Sequence, residues 1–210
     1  MTTTFLQSET TTIKICGLVT EEHVDVAVAA GAHAIGFVFV PGSPRTLDRG
    51  TANRLLTQLP PEVLPIAVLQ DYGDLDDFSD WPGWLQLCGA EDEEMIARSP
   101  RPVIKALQWN AEELVTWDSS IDIKGILVDG SSGGLGKMAP IESLAKQMDH
   151  LLKPIIIAGG LTPLNVGGVI AALRPAAVDV SSGIESSKGV KDSTLICEFV
   201  EEAMRATSET

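Results

Sequence analysis

Eight short apolar runs, separated by stretches of helical character, constrain this chain more than any other feature of its sequence. The runs at 12–16, 34–39, 64–69, 84–87, 103–106, 125–128, 154–158 and 177–180 are mostly continuous rather than alternating. That is the pattern of parallel strands covered on both faces. Between them the sequence predicts helices at 21–30, 49–58, 74–79, 90–97, 111–117, 141–148, 163–173 and 191–205. Thr20 precedes the first and Asn110 the fifth as helix-entry residues, and Thr162-Pro163 sets a cap residue before a first-turn proline. Eight strand–helix units in 210 residues are the count of a small (β/α)8 barrel, a TIM barrel with a parallel eight-stranded wall and outer helices. A doubly wound open sheet is the rival, but no Gly-x-Gly-x-x-Gly follows the first strand.

No linker or shift in composition divides the chain. We read residues 12–206 as one barrel domain and the Thr-rich residues 1–11 as a flexible N-terminal extension rather than a secretory signal. No apolar run approaches the roughly 18 residues of a membrane span. Three widely spaced cysteines, Cys16, Cys88 and Cys197, form neither a disulfide framework nor a zinc motif, which points to a reducing cytoplasm. The formal net charge of −14 weighs against nucleic acid and anionic membranes as partners. An anionic small molecule would have to be met by local positive potential, from a few Lys/Arg or from backbone amides.

In such a barrel the chemistry sits at the C-terminal ends of the strands. Cys16 ends the first run. Val40-Pro41-Gly42-Ser43-Pro44-Arg45 follows the second, Asp129 and a glycine-rich stretch the sixth, Gly159-Gly160 the seventh and Ser181-Ser182-Gly183 the eighth. Glycine loops on the last two strands suit a phosphate, because the backbone can approach closely and offer free amides. The stretch Gly133-Gly134-Leu135-Gly136-Lys137 lacks the spacing and ending of a P-loop. Cys16 and Asp129 are the acid–base candidates, with inert core and loop capping as their plainer readings. Arg45 is either a surface charge or a fork for a carboxylate.

Taken together, Lys14-Ile15-Cys16-Gly17, Gly36-Phe37-Val38-Phe39 with Ser43-Pro44-Arg45, Val103-Ile104-Lys105-Ala106, Asp129 with Gly133–Lys137, Ala158-Gly159-Gly160-Leu161 and Val178 through Glu185 resemble phosphoribosylanthranilate isomerase, in family order from Ile13 to Val200. The resemblance implies a barrel enzyme of tryptophan biosynthesis, an aldose–ketose isomerase working without cofactor or metal. Asp129 would be the general acid that opens the sugar ring and Cys16 the general base at C2. Arg45 would hold the anthranilate carboxylate, and Gly160, Ser181, Ser182 and Gly183 would surround the phosphate. The partner expected is a phosphorylated small molecule, and the chain a monomer or homodimer. Three positions depart from the family pattern: Cys88 stands where a histidine is usual, Leu135 where a hydroxyl is usual, and Met138-Ala139-Pro140 where Phe-Asp-Trp is usual. They motivate the alternatives of a divergent paralogue that binds a phosphorylated ligand without turnover, or of another phosphosugar barrel enzyme. For the latter, Lys105 is a strand lysine without a matching glutamate set, and His23, His33 and His150 are not placed as metal ligands.

Overall fold

A computed structural model describes residues 5–130 and 141–209. Its core is a closed barrel in which eight parallel strands follow one another in chain order. The strands are β1 (Thr12–Cys16), β2 (Ala34–Val38), β3 (Leu64–Leu69), β4 (Trp84–Leu87), β5 (Val103–Gln108), β6 (Ile123–Asp129), β7 (Ile155–Ala158) and β8 (Ala177–Val180). β1 closes the wall by pairing with both β2 and β8. The helices outside it are α1 (Glu21–Ala30), α2 (Arg49–Leu56), α3 (Glu93–Ala97), α4 (Ala111–Asp118), α5 (Ile141–Met148), α6 (Val166–Leu173) and α7 (Ser193–Ser208). No described helix is long and apolar enough to cross a membrane.

Side-chain alternation along each strand splits the buried residues into two layers. Ile13 and Ile15, Ile35 and Phe37, Ile126 and Val128 belong to the large cluster between wall and helices. Cys16, Ala34, Val38, Ile66, Trp84, Ile104, Leu127, Ile156 and Ala177 belong to the smaller cluster inside the barrel. Because both faces are covered, each strand reads as a continuous apolar run.

Local chemistry sets the helix ends. The Thr20 side chain accepts from the His23 amide at the start of α1, and Gly31 ends it with φ of 103°. The Asn110 side chain accepts from the Glu112 and Glu113 amides at the start of α4. Two expectations are corrected. Residues 74–79 form no α-helix: Leu75–Phe78 is a 3-10 turn whose buried Leu75 and Phe78 lie three residues apart, the period of that helix, while the aspartates between them face water. An edge-to-face group of Phe37, Phe39, Tyr72, Phe78 and Trp81 packs there. And α6 begins at Val166, past Thr162-Pro163, because the Asn165 side chain accepts from the Thr162 amide and donates to the Gly160 carbonyl, holding a turn ahead of the helix.

At the N-terminal mouth, Phe5 and Leu6 are buried within the stretch read as an extension. Phe5 stands edge-on to Trp84, and its carbonyl accepts from Thr12 Oγ1 at 2.6 Å. Leu6 fits against Gly125, where a Cβ would lie 2.6 Å from Leu6 Cδ1. The pair closes the bottom of the barrel.

Candidate active site

A cavity of about 440 Å³ opens at the C-terminal mouth. Its walls include Gln86 and Cys88 from β4 and beyond, Asp129 at the end of β6, Gly159 and Gly160 after β7, Asp179 on β8, and Ser181, Ser182 and Gly183 after it. Five of the seven sequence candidates line it, namely Asp129, Gly160, Ser181, Ser182 and Gly183; Arg45 and Cys16 do not.

The β7 and β8 loops are fitted to each other. Gly159 and Gly160 have φ of 82° and 69°, a region that favours glycine. At Gly183 a Cβ would sit 1.7 Å from the Leu161 carbonyl oxygen, so no other residue fits between the loops. Ser182–Ile184 begins a 3-10 turn with no side chain capping it, so its leading amides are available to an anion, as at any helix start. Beyond it, β9 (Glu185–Ser187) and β10 (Val190–Lys191) form a hairpin. Lys191 Nζ donates to the Ser181 carbonyl at 2.7 Å and to Ser181 Oγ at 3.2 Å, placing a cation behind the loop.

Cys16 is almost completely buried. Its thiol leans over Gly36 on β2, where a Cβ would come within 2.7 Å of Sγ and 3.1 Å of Lys14 Nζ. Lys14 is fully buried inside the barrel and donates to Asp179 Oδ1 at 2.8 Å. Burial pushes the Cys16 thiol above its ordinary value and the Asp179 charge adds to that, while Lys14 and Lys191 pull against it without offsetting it. Burial alone would lower Lys14, but the carboxylate of Asp179 and the Cys16 thiol hold the ammonium above its ordinary value. Asp129 ends β6 beside Ala158 of β7 and opposite Gln108 of β5.

Arg45 reaches across Gly17 to Glu185. Nε meets Glu185 Oε1 at 2.6 Å and Nη2 meets Oε2 at 2.8 Å, a bidentate pair that leaves Nη1 outside it. Glu185 also accepts from Lys191 Nζ at 2.8 Å and from the Gly189 amide at 2.9 Å. Burial pushes the Glu185 carboxyl up, but the Arg45, Lys191 and Gly189 donors outweigh it and hold it at about 2. Cys88 presents its surface to the cavity, and the protein around the thiol raises it to about 12 against the Gln86 amide that donates to it at 3.3 Å. Among the described residues no group of three His, Cys, Asp or Glu side chains is placed to hold a metal ion. Residues 133–137, with Leu135 and Lys137, lie outside the described residues, as do Met138, Ala139 and Pro140.

Residues 13–202 match the family model described as N-(5'-phosphoribosyl)anthranilate (PRA) isomerase. The chain belongs to this family. It is 37% identical to the N-(5'-phosphoribosyl)anthranilate isomerase of Dechloromonas aromatica, over 93% of this chain and 97% of the relative. It is 39% identical to that of Chromohalobacter salexigens, over 90% of this chain and 92% of the relative. The crystal structure of phosphoribosyl anthranilate isomerase from Thermotoga maritima superposes with a TM-score of 0.85 at 32% identity, over 93% of this chain and 99% of that one. A second isomerase structure, solved in complex with reduced 1-(o-carboxyphenylamino)-1-deoxyribulose 5-phosphate, gives 0.82 at 30%, over the same shares.

In this member of the isomerase family, Lys105 stands apart from the cavity. Its Nζ donates to the Gly89 carbonyl at 2.7 Å and to Glu91 Oε2 at 2.8 Å, and Glu91 in turn accepts from the Asp71 and Gly89 amides. This braces the loops after β3 and β4. Sequence reasoning did not single out Lys14, Asp179, Glu185 or Lys191 as functional. A signal existed for two of them: Lys14 and Asp179 interrupt apolar strands at positions whose parity points inward, where a charge needs a partner.

Proposed function

We propose that the chain catalyses the Amadori rearrangement of N-(5'-phosphoribosyl)anthranilate to 1-(o-carboxyphenylamino)-1-deoxyribulose 5-phosphate in tryptophan biosynthesis. The observation that carries this reading is a single mouth that joins Asp129 to the glycine and serine loops of Gly160 and Ser181–Gly183, in a chain of this family.

Asp129 protonates the furanose ring oxygen. The C1–O bond breaks as the anthranilate nitrogen lone pair forms the C1=N bond. The Cys16 thiolate then removes the C2 proton, and the electron pair forms C1=C2 while the iminium nitrogen is neutralised. Tautomerisation of that enol delivers a proton to C1 and leaves the C2 ketone. No electron leaves or enters the substrate overall, so no cofactor is called on. Backbone amides of Gly160, Ser182 and Gly183, with Lys191 behind Ser181, neutralise the phosphate. Arg45, fixed through Nε and Nη2 by Glu185, offers Nη1 to the anthranilate carboxylate. Such an arrangement lets a chain at −14 accept a ligand with two anionic groups, a phosphate and a carboxylate. The reading includes a cytoplasmic setting, supported by three free cysteines, and a monomer or homodimer.

The test is steady-state fluorescence turnover of phosphoribosylanthranilate together with rescue of a tryptophan auxotroph. Turnover and rescue are expected. Measurable binding of a sugar phosphate without either would overturn the reading in favour of a non-catalytic phosphate binder.

A further inference from the structure

A lysine inside a barrel wall is costly, since an unpaired buried ammonium loses its hydration. Lys14 is fully buried, and among the described residues its carboxylate partner is Asp179, 165 residues away in the chain. A simple structural pair would serve anywhere in the wall. This one stands two residues before Cys16 on the same inward face, and both Nζ and Sγ crowd the single space left open by Gly36.

Charged groups reach the thiol from several elements of the barrel. Lys14, Lys191 and Arg45 act on it from β1, β10 and the loop after β2. Asp179 acts from β8, and Cys88, a neutral thiol, from beyond β4. Glu185 binds Arg45 and Lys191 together. Among these described residues, Lys14 and Lys191 favour a negative charge at Cys16 and Asp179 opposes it, while Asp129 of β6 lines the same mouth.

We propose that Lys14 is a positioning residue for the reaction: held in place by Asp179, it supplies the counter-charge of the Cys16 thiolate, so that a buried thiol can serve as the base. This rests on the isomerase reading for the use of the base, but not for the ionisation itself.

The experiment exploits opposite signs. The thiolate absorbance of Cys16 is read against pH, without substrate, as the difference between each protein and its Cys16→Ser counterpart. Lys14→Met removes the cation and leaves Asp179, so the midpoint should rise by about 1–2 pH units. Asp179→Asn leaves the cation without its acid, and the midpoint should fall by a similar amount. The double variant Lys14→Met/Asp179→Leu removes both charges and should lie between the two. The acid limb of kcat/KM should move with the midpoint in each folded variant. If Lys14→Met does not fold, the downward shift in Asp179→Asn decides. A midpoint that stays put, or moves the same way in both single variants, overturns the proposal. Shifts of the expected signs in a protein that never turns over phosphoribosylanthranilate overturn the isomerase reading alone.

Discussion

At the N-terminal end of the barrel the inward positions carry Phe5, Leu6, Leu64, Trp84, Ile104, Ile156 and Ala177. At the C-terminal end the inward parity carries Cys16, Gln86, Asp129 and Asp179, with Cys88 just past β4, and the loops after β7 and β8 are glycine and serine. The wall is one continuous object, yet its lower half fills space and its upper half keeps space open. What separates them is burial without partners below and paired charge above. The lower end can be apolar because nothing has to enter it. The upper end can hold a buried lysine because Asp179 meets it at 2.8 Å.

If that division is real, substitutions at the two ends should fail differently. The largest effect is expected from Asp129→Ala and Cys16→Ala. Each should cost about a hundredfold to ten-thousandfold in kcat, the usual weight of a positioned acid or base, with melting temperatures close to the parent. A melting loss as deep as that of the bottom plug would erase the distinction between the halves. Trp84→Ala is the mirror case. It strips the edge-to-face partner of Phe5 and leaves a void, at a cost of about 3–5 kcal/mol in denaturant unfolding. Turnover per folded molecule, measured well below the melting point, should survive; a matching fall in kcat would mean that the bottom layer sets the geometry of the top.

The same division decides what could be read before the structure. Strands buried on both faces leave continuous apolar runs, so β1, β3, β4 and β8 fall on the residues expected. Caps at Thr20 and Asn110 announced their helices because the bonds they make are local. The start of α6 did not, since Asn165 makes its bonds back toward the β7 loop, outside the helix it precedes. Phe5 and Leu6 form an isolated apolar pair in a Thr-rich stretch, with no period to mark them; only tertiary packing reveals the plug. In the site, glycine loops and strand-end polar residues were legible from position. The partners of Lys14 and Arg45 were not, because Asp179 and Glu185 lie 165 and 140 residues away along the chain.

A smaller effect sharpens the comparison within the upper half. Gly183→Ala would drive a Cβ into the Leu161 carbonyl at 1.7 Å. The β8 loop must then move off the β7 loop, and the amides offered to the phosphate separate. Losing one charge-assisted hydrogen bond of about 1.5–3 kcal/mol corresponds to a rise in KM of roughly tenfold to a hundredfold, with kcat much less affected. A drop in kcat at constant KM would place the loop in the chemistry rather than in binding.

The smallest effect concerns Glu185, which joins the two cations at the rim of the cavity. Its carboxyl is held at about 2 by Arg45, Lys191 and the Gly189 amide, against an ordinary value of 4.5. A carboxyl depressed on folding stabilises the native state above its unfolded value, and the contribution is lost as pH falls from about 4.5 toward 2. Glu185→Gln removes that share of acid sensitivity. Its melting temperature should be lower than the parent's at pH 7, and the gap should narrow on acidification through that window. At pH 7 the variant also frees the Arg45 fork, so KM should rise while the thiolate midpoint of Cys16 falls, because a negative charge has left the cluster. A gap in melting temperature that is constant with pH would show that Glu185 acts by shape alone, and the upper half would then owe less to paired charge than its geometry indicates.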